Sequence, residues 1–156
     1  MKHSLRSQLN YWLLASMCIL STYSYGQYTP FKGANMILLG TSLADKEALT
    51  EIANVLTDQS ISFSVDRNLV SFQAKDKSSG GNEPIVFEGF LSVNAGLVKL
   101  TGKMQNAASG SQTVSYIPVE YTTSKASSQR LGFLYMDQLA KKLQPVLHGV
   151  IIYKYQ

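Results

Sequence analysis

The stretch Ile61-Ser62-Phe63-Ser64-Val65-Asp66-Arg67-Asn68-Leu69-Val70-Ser71-Phe72-Gln73-Ala74 decides the fold. Ile61, Phe63 and Val65 alternate with Ser62 and Ser64, and Val70, Phe72 and Ala74 alternate with Ser71 and Gln73. That period of two belongs to half-buried strands. The two apolar sets share a face only if Val65 stands opposite Val70 and Phe63 opposite Phe72. Arg67-Asn68 is then at the tip, where Asn tolerates a left-handed backbone. A hairpin with one apolar face needs a second layer to cover it.

Towards the N-terminus, Leu49, Ile52, Ala53 and Leu56 fall at i, i+3, i+4 and i+7, which predicts a one-sided helix over 43–58. Ser42 and Asp45 have the capping-box spacing for its start. Before it, Met36-Ile37-Leu38-Leu39 reads as a buried strand.

Towards the C-terminus, residues 75–84 are a polar run rich in turn formers, read as a mobile loop. A second hairpin follows. Ile85, Phe87, Gly89, Leu91 and Val93 match Val98, Leu100, Gly102 and Met104 if Val93 pairs with Val98 and Leu91 with Leu100 around Ala95-Gly96. Glu88 then stands opposite Lys103, facing water. After a loop at 106–112, residues 113–121 form a strand that Pro118 confines to an edge or a bulge. A third polar loop covers 122–128. Phe133, Met136, Ala140 and Leu143 lie on one face of a helix over 129–144, which Pro145 stops or kinks, and Val150-Ile151-Ile152-Tyr153 is a short last strand.

The expected fold is therefore α+β: a single antiparallel sheet with two helices on one face, in β-α-β-β-β-β(-β)-α-β order, with the other face open to solvent. This order, the turn Asp66-Arg67-Asn68 and the ending from Met136 to Tyr155, a helix and then a Tyr/Lys-rich tail, resemble a group of uncharacterised secreted bacterial domains with a TATA-box-binding-protein-like fold. The resemblance spans roughly residues 35–155. It implies a fold and no activity, and nothing about transcription, because function resides in sites and not in folds.

The first 26 residues have a different character. Lys2, His3 and Arg6 precede an apolar run from Tyr11 to Leu20 and a small, polar exit, the layout of a secretory signal peptide. Ten apolar residues span only about 15 Å as a helix, half of a bilayer core, so no stable transmembrane span is expected after cleavage. Ser24 and Gly26 suit a cut before Gln27. Cys18 follows bulky Met17 and lies inside the apolar run, which disfavours a lipid-accepting cysteine. The expected organisation is a signal peptide at 1–26, a lead at 27–34 and one domain at 35–156, periplasmic or secreted.

Composition excludes several functions. The chain has 156 residues, 14 Lys+Arg, 10 Asp+Glu, two His and one Cys. Without Lys2 and Arg6 the net charge falls to +2, and the lysines are dispersed, so neither nucleic acid nor an anionic membrane surface is an expected partner. One Cys, itself within the leader, allows no internal disulfide, and no metal or cofactor site is implied.

His148 is the mature chain's only imidazole; beside Gly149 near a helix C-terminus it reads as a cap or surface residue. No nucleophile elbow, phosphate loop or His-Glu-x-x-His occurs. The carboxylates are scattered, and pairing with Lys103 favours the ionised form of Glu88, the opposite of what a general acid requires.

The open face is the informative surface. Ser62, Ser64, Ser71, Gln73, Glu88, Phe90, Ser92, Lys99, Thr101, Lys103 and Tyr116 are expected on it, and two aromatics on a flat polar sheet can anchor a partner. The candidate binding residues are Phe90, Tyr116, Lys99, Thr101, Lys103 and Glu88. The bland alternative is that loop 75–84 or 106–112 folds over Phe90. The leading expectation is a non-enzymatic interaction domain for a protein or glycan. The alternatives are a small envelope-polymer hydrolase or lyase using Glu88 or Glu120 with Lys99, and an inhibitor of a secreted enzyme. Edge pairing through the Pro118 strand or the last strand is a further route. Oligomeric state is not encoded in any motif.

Overall fold

The computed structural model describes residues 28–76, 85–106, 115–125 and 127–156. The leader and most of the loops expected at 75–84 and 106–112 lie outside them. Seven strands, β1 (Met36–Gly40), β2 (Ser62–Asp66), β3 (Leu69–Asp76), β4 (Ile85–Asn94), β5 (Leu97–Asn106), β6 (Ser115–Pro118) and β7 (Val150–Lys154), form one antiparallel sheet in the order β2-β3-β4-β5-β1-β7. Helix α1 (Asp45–Asp58) carries the chain from β1 to the far edge at β2, and α2 (Ser128–Val146) carries it from β6 to β7 at the opposite edge. The short β6 pairs with β5 beyond the residues that β1 uses, and it ends at Pro118, as a residue without a donor should end it.

Both expected registers are present. Val65 faces Val70 and Phe63 faces Phe72; Val93 faces Val98 and Leu91 faces Leu100. The alternating apolar sets of β1, β3, β4, β5 and β7 join one core with Ile52, Leu56, Phe133, Met136, Ala140 and Leu143 of the helices, so both helices cover the same face. At the sheet edge β2 contributes only partly buried Phe63, and Val65, expected on the buried face, is 51% exposed because no helix reaches over it.

The turns differ from expectation in detail. At the first tip Arg67, not Asn68, adopts the left-handed backbone, with φ 53°. At the second, Ala95 and Gly96 both have positive φ, as the mirror-image hairpin turn requires. Asp45 does not form a box with Ser42. The helix N-cap is Ala44, whose N–H donates to Glu47 at 3.4 Å, and the Asp45 carboxylate instead accepts from the amides of Ala95 and Gly96, each at 3.1 Å. A tertiary demand, satisfying a turn's two free N–H groups, has displaced the local motif. The buried stripe of α1 is Ala48, Ile52 and Leu56, with Leu49 at its margin.

Pro145 does not stop α2, which continues one residue beyond it. The helix then closes with Gly149 N–H on Gln144 O (2.9 Å) and His148 N–H on Pro145 O (3.3 Å), with His148 at φ 48°. This is a Schellman closure with histidine where glycine is usual. Helix α1 ends the same way, Ile61 on Leu56 O (2.9 Å) and Ser60 on Thr57 O (2.8 Å), with Ser60 at φ 55°. Replacing His148 or Ser60 by Gly removes the left-handed penalty and is expected to raise stability by about 0.5–1 kcal/mol each. A urea midpoint that moves down in both variants would contradict this.

Candidate functional site

Residues of β4 and β5 that point away from the helices meet in register: Glu88 opposite Lys103, Phe90 opposite Thr101, Ser92 opposite Lys99. Tyr116 enters from β6, opposite Gln105. The centre of the arrangement is Lys103. Its ammonium lies 3.0 Å from Glu88 Oε2, 4.1 Å over the centroid of the Tyr116 ring and 5.5 Å from that of Phe90. The Glu88 contact is an ion pair rather than an aligned hydrogen bond, and Oε2 itself is out of solvent contact. A cation set between one carboxylate and two rings is attracted to all three, which draws the rings and the carboxylate together. Tyr116 is 49% exposed while Phe90 is half-buried, so the tyrosine is the more accessible anchor.

Beside the cluster, towards β2, Ser62, Ser64, Ser71, Gln73 and Glu88 border a shallow depression of about 340 Å³, with Phe63 and Phe72 also in its lining. The short serine hydroxyls offer hydrogen bonds at little cost in side-chain entropy, and the longer Gln73 amide adds a donor and an acceptor.

The six candidate residues are thus all on one face, but they do not form one cluster. Glu88, Phe90, Lys103 and Tyr116 come together, and Thr101 adjoins Phe90. Lys99 lies four residues up the strand from Lys103, about 13 Å along the ladder. Lys99 consequently cannot serve Glu88 as a catalytic partner. Glu120 lies beyond the end of β6, outside the ladder, while the Glu88 carboxylate is committed to Lys103.

In fold, the chain is similar to a TBP-like protein from Parabacteroides distasonis. The likeness has 10% sequence identity and a TM-score of 0.44, and it covers 78% of this chain and 98% of that one. No family model matches the chain, and no curated protein does. The α+β assignment, a single antiparallel sheet with two helices, rests on the strand order itself.

Among the described residues no three His, Cys, Asp or Glu side chains converge as a metal site would need, and no helix is long and apolar enough to cross a membrane. His148 occupies the exposed helix closure described above. Of the two tyrosines at the C-terminus, Tyr153 is buried and Tyr155 is 71% exposed.

Sequence reasoning missed part of the open face. Leu38, Ile152, Leu97, Val150 and Met36 share it with Lys99, because Leu38 pairs with both Lys99 and Ile152 and Gly40 pairs with both Leu97 and Val150. Leu97 is 41% exposed and Val150 51%. The signal was available: four consecutive apolar residues in β1 are apolar on both faces, and among the described residues the two helices lie on one face only.

Proposed function

We propose that this protein is an exported, non-enzymatic interaction domain that binds a protein or glycan partner through the open face of its sheet. The observation that carries the reading is the Lys103 ammonium set between Glu88, Phe90 and Tyr116 on that face, an aromatic anchor with a charge at its centre. The hydroxyl-lined depression next to it adds hydrogen-bonding capacity. Export to the periplasm or beyond is supported by the basic start, apolar run and small-residue exit of residues 1–26.

The test is affinity capture from the envelope fraction and culture medium of the source organism, with the protein run beside a Phe90→Asp, Tyr116→Asp double variant. Both side chains are off the core cluster, so circular dichroism is expected to show an unchanged fold. A partner held by the parent and lost by the folded variant supports the reading. A partner held equally by both, or turnover of envelope polymers that survives in the variant, refutes it.

A further inference from the structure

Beyond that reading, and resting on it, we infer that the β1–β5–β7 end of the open face is the seat of an amphipathic helix from a protein partner, with aliphatic residues on one side and carboxylates along both margins. The helices of this chain cover one face of β1 and β7, yet both strands are apolar on both faces, the pattern of strands covered on both sides. Three successive rows run across β5, β1 and β7: Leu97, Gly40 and Val150; Lys99, Leu38 and Ile152; and, at the third, Met36 beside Lys154. At strand spacings of about 4.8 Å and a rise of about 3.4 Å per residue, the patch is about 10 Å wide and 14 Å long. A helix is about 10–12 Å across and rises about 14 Å in two and a half turns.

Charge selects the occupant. Lys99 lies on one margin, on β5, and Lys154 on the other, on β7. Over the whole face the register places Lys75, Lys99, Lys103 and Lys154 against Asp66 and Glu88, and Glu88 is already paired with Lys103. The face is therefore basic where the patch is, although the chain as a whole disperses its lysines. A second copy laid face to face would oppose lysine to lysine. A flat anionic bilayer would have to press on the serine-rich half of the same face and on Glu88, whereas a narrow helix along β1 would not.

The experiment is selection of random 16-residue peptides against the immobilised protein, followed by affinity measurements on Lys99→Glu and Lys154→Glu, two half-exposed positions outside the core. The selected peptides are expected to carry aliphatics at i, i+3 or i+4, and i+7, with Asp or Glu on the flanks. They should bind at least tenfold more weakly to each Glu variant and regain affinity when their own flanking acids are changed to Lys. Ile152→Asp, with folding checked by circular dichroism, should abolish binding.

Peptides without acidic flanks, indifference to both charge reversals, or no selected peptide at all would overturn the inference. So would binding only to phosphatidylglycerol vesicles, or self-association through this face in sedimentation equilibrium. Selected peptides lost by the Phe90→Asp, Tyr116→Asp variant but unaffected by Lys99→Glu would sink the helix seat and leave the wider interaction reading standing.

Discussion

Gly89→Ala is expected to destabilise the protein by about 2–3 kcal/mol, at the upper end of overpacking changes, lowering Tm by roughly 3 °C for each kcal/mol. Gly89 and Gly102 face each other across β4 and β5, on the core side of the sheet. The ring of Phe72 lies where the Gly89 side chain would be, within 2.2 Å of an added Cβ, and the ring of Phe87 lies within 2.4 Å of one at Gly102. Those two rings contact each other with centroids 5.8 Å apart, and Phe87 in turn contacts Tyr135 at 5.0 Å. A methyl group at Gly89 must displace this aromatic stack, because both rings are buried in a close-packed core. The diagnostic measurement is the double variant Gly89→Ala, Phe72→Leu. If the clash is the cause, its midpoint in urea lies well above the sum of the two single losses. Strict additivity would mean that glycine is needed there for another reason.

Asp137→Ala is expected to cost about 1–3 kcal/mol, because it strands a buried phenol. Asp137 is 6% exposed on α2; its Oδ1 accepts from the Tyr153 hydroxyl of β7 at 2.5 Å, and its Oδ2 pairs with Lys141 at 2.7 Å. One carboxylate thus fastens the helix to the last strand. Burial raises the Tyr153 pKa well above its ordinary value near 10, and the hydrogen bond to Asp137 and its negative charge push further in the same direction. Tyr135 is also raised, by burial alone.

Both native phenols hold their protons more tightly than those of the unfolded chain. Their contribution to stability is complete below about pH 10 and is lost as the pH climbs from there towards the native values. Urea midpoints measured at pH 8 and pH 11 are expected to fall steeply in the parent and less steeply in Tyr153→Phe. The variant starts lower, by about 1 kcal/mol for the lost hydrogen bond. Equal slopes in the two proteins would show that the phenol does not titrate as its surroundings dictate. Lys141→Met, measured beside it, separates the phenol's contribution from that of the Asp137–Lys141 ion pair.

Wherever a period of two met a period of 3.6, the amino-acid sequence was a sufficient guide. The hairpin registers, the cross-strand partners Glu88 and Lys103, the two helices on one face and the edge position of the Pro118 strand all follow from keeping apolar residues together. A slip by one residue would turn every buried side chain to water. Within the candidate site, the same rule placed Phe90, Thr101, Lys103 and Glu88 on one face, since each is read from its own strand and its immediate partner.

What only the tertiary structure decided is contact between elements far apart in the chain. Asp45 abandons its local helix-start pattern for the Ala95-Gly96 turn, because two unpaired amides there outweigh one weak cap. Tyr116 comes over Lys103 because β6 continues the line of β1 along β5, a neighbour relation that no local pattern contains. The aliphatic patch of Leu38, Leu97, Val150 and Ile152 exists only because β1 is inserted between β5 and β7. Periodicity dictates which way a side chain points along its own strand, but the order of strands in a sheet is set by how the helices pack and how the chain crosses over, and that order determines which residues become neighbours.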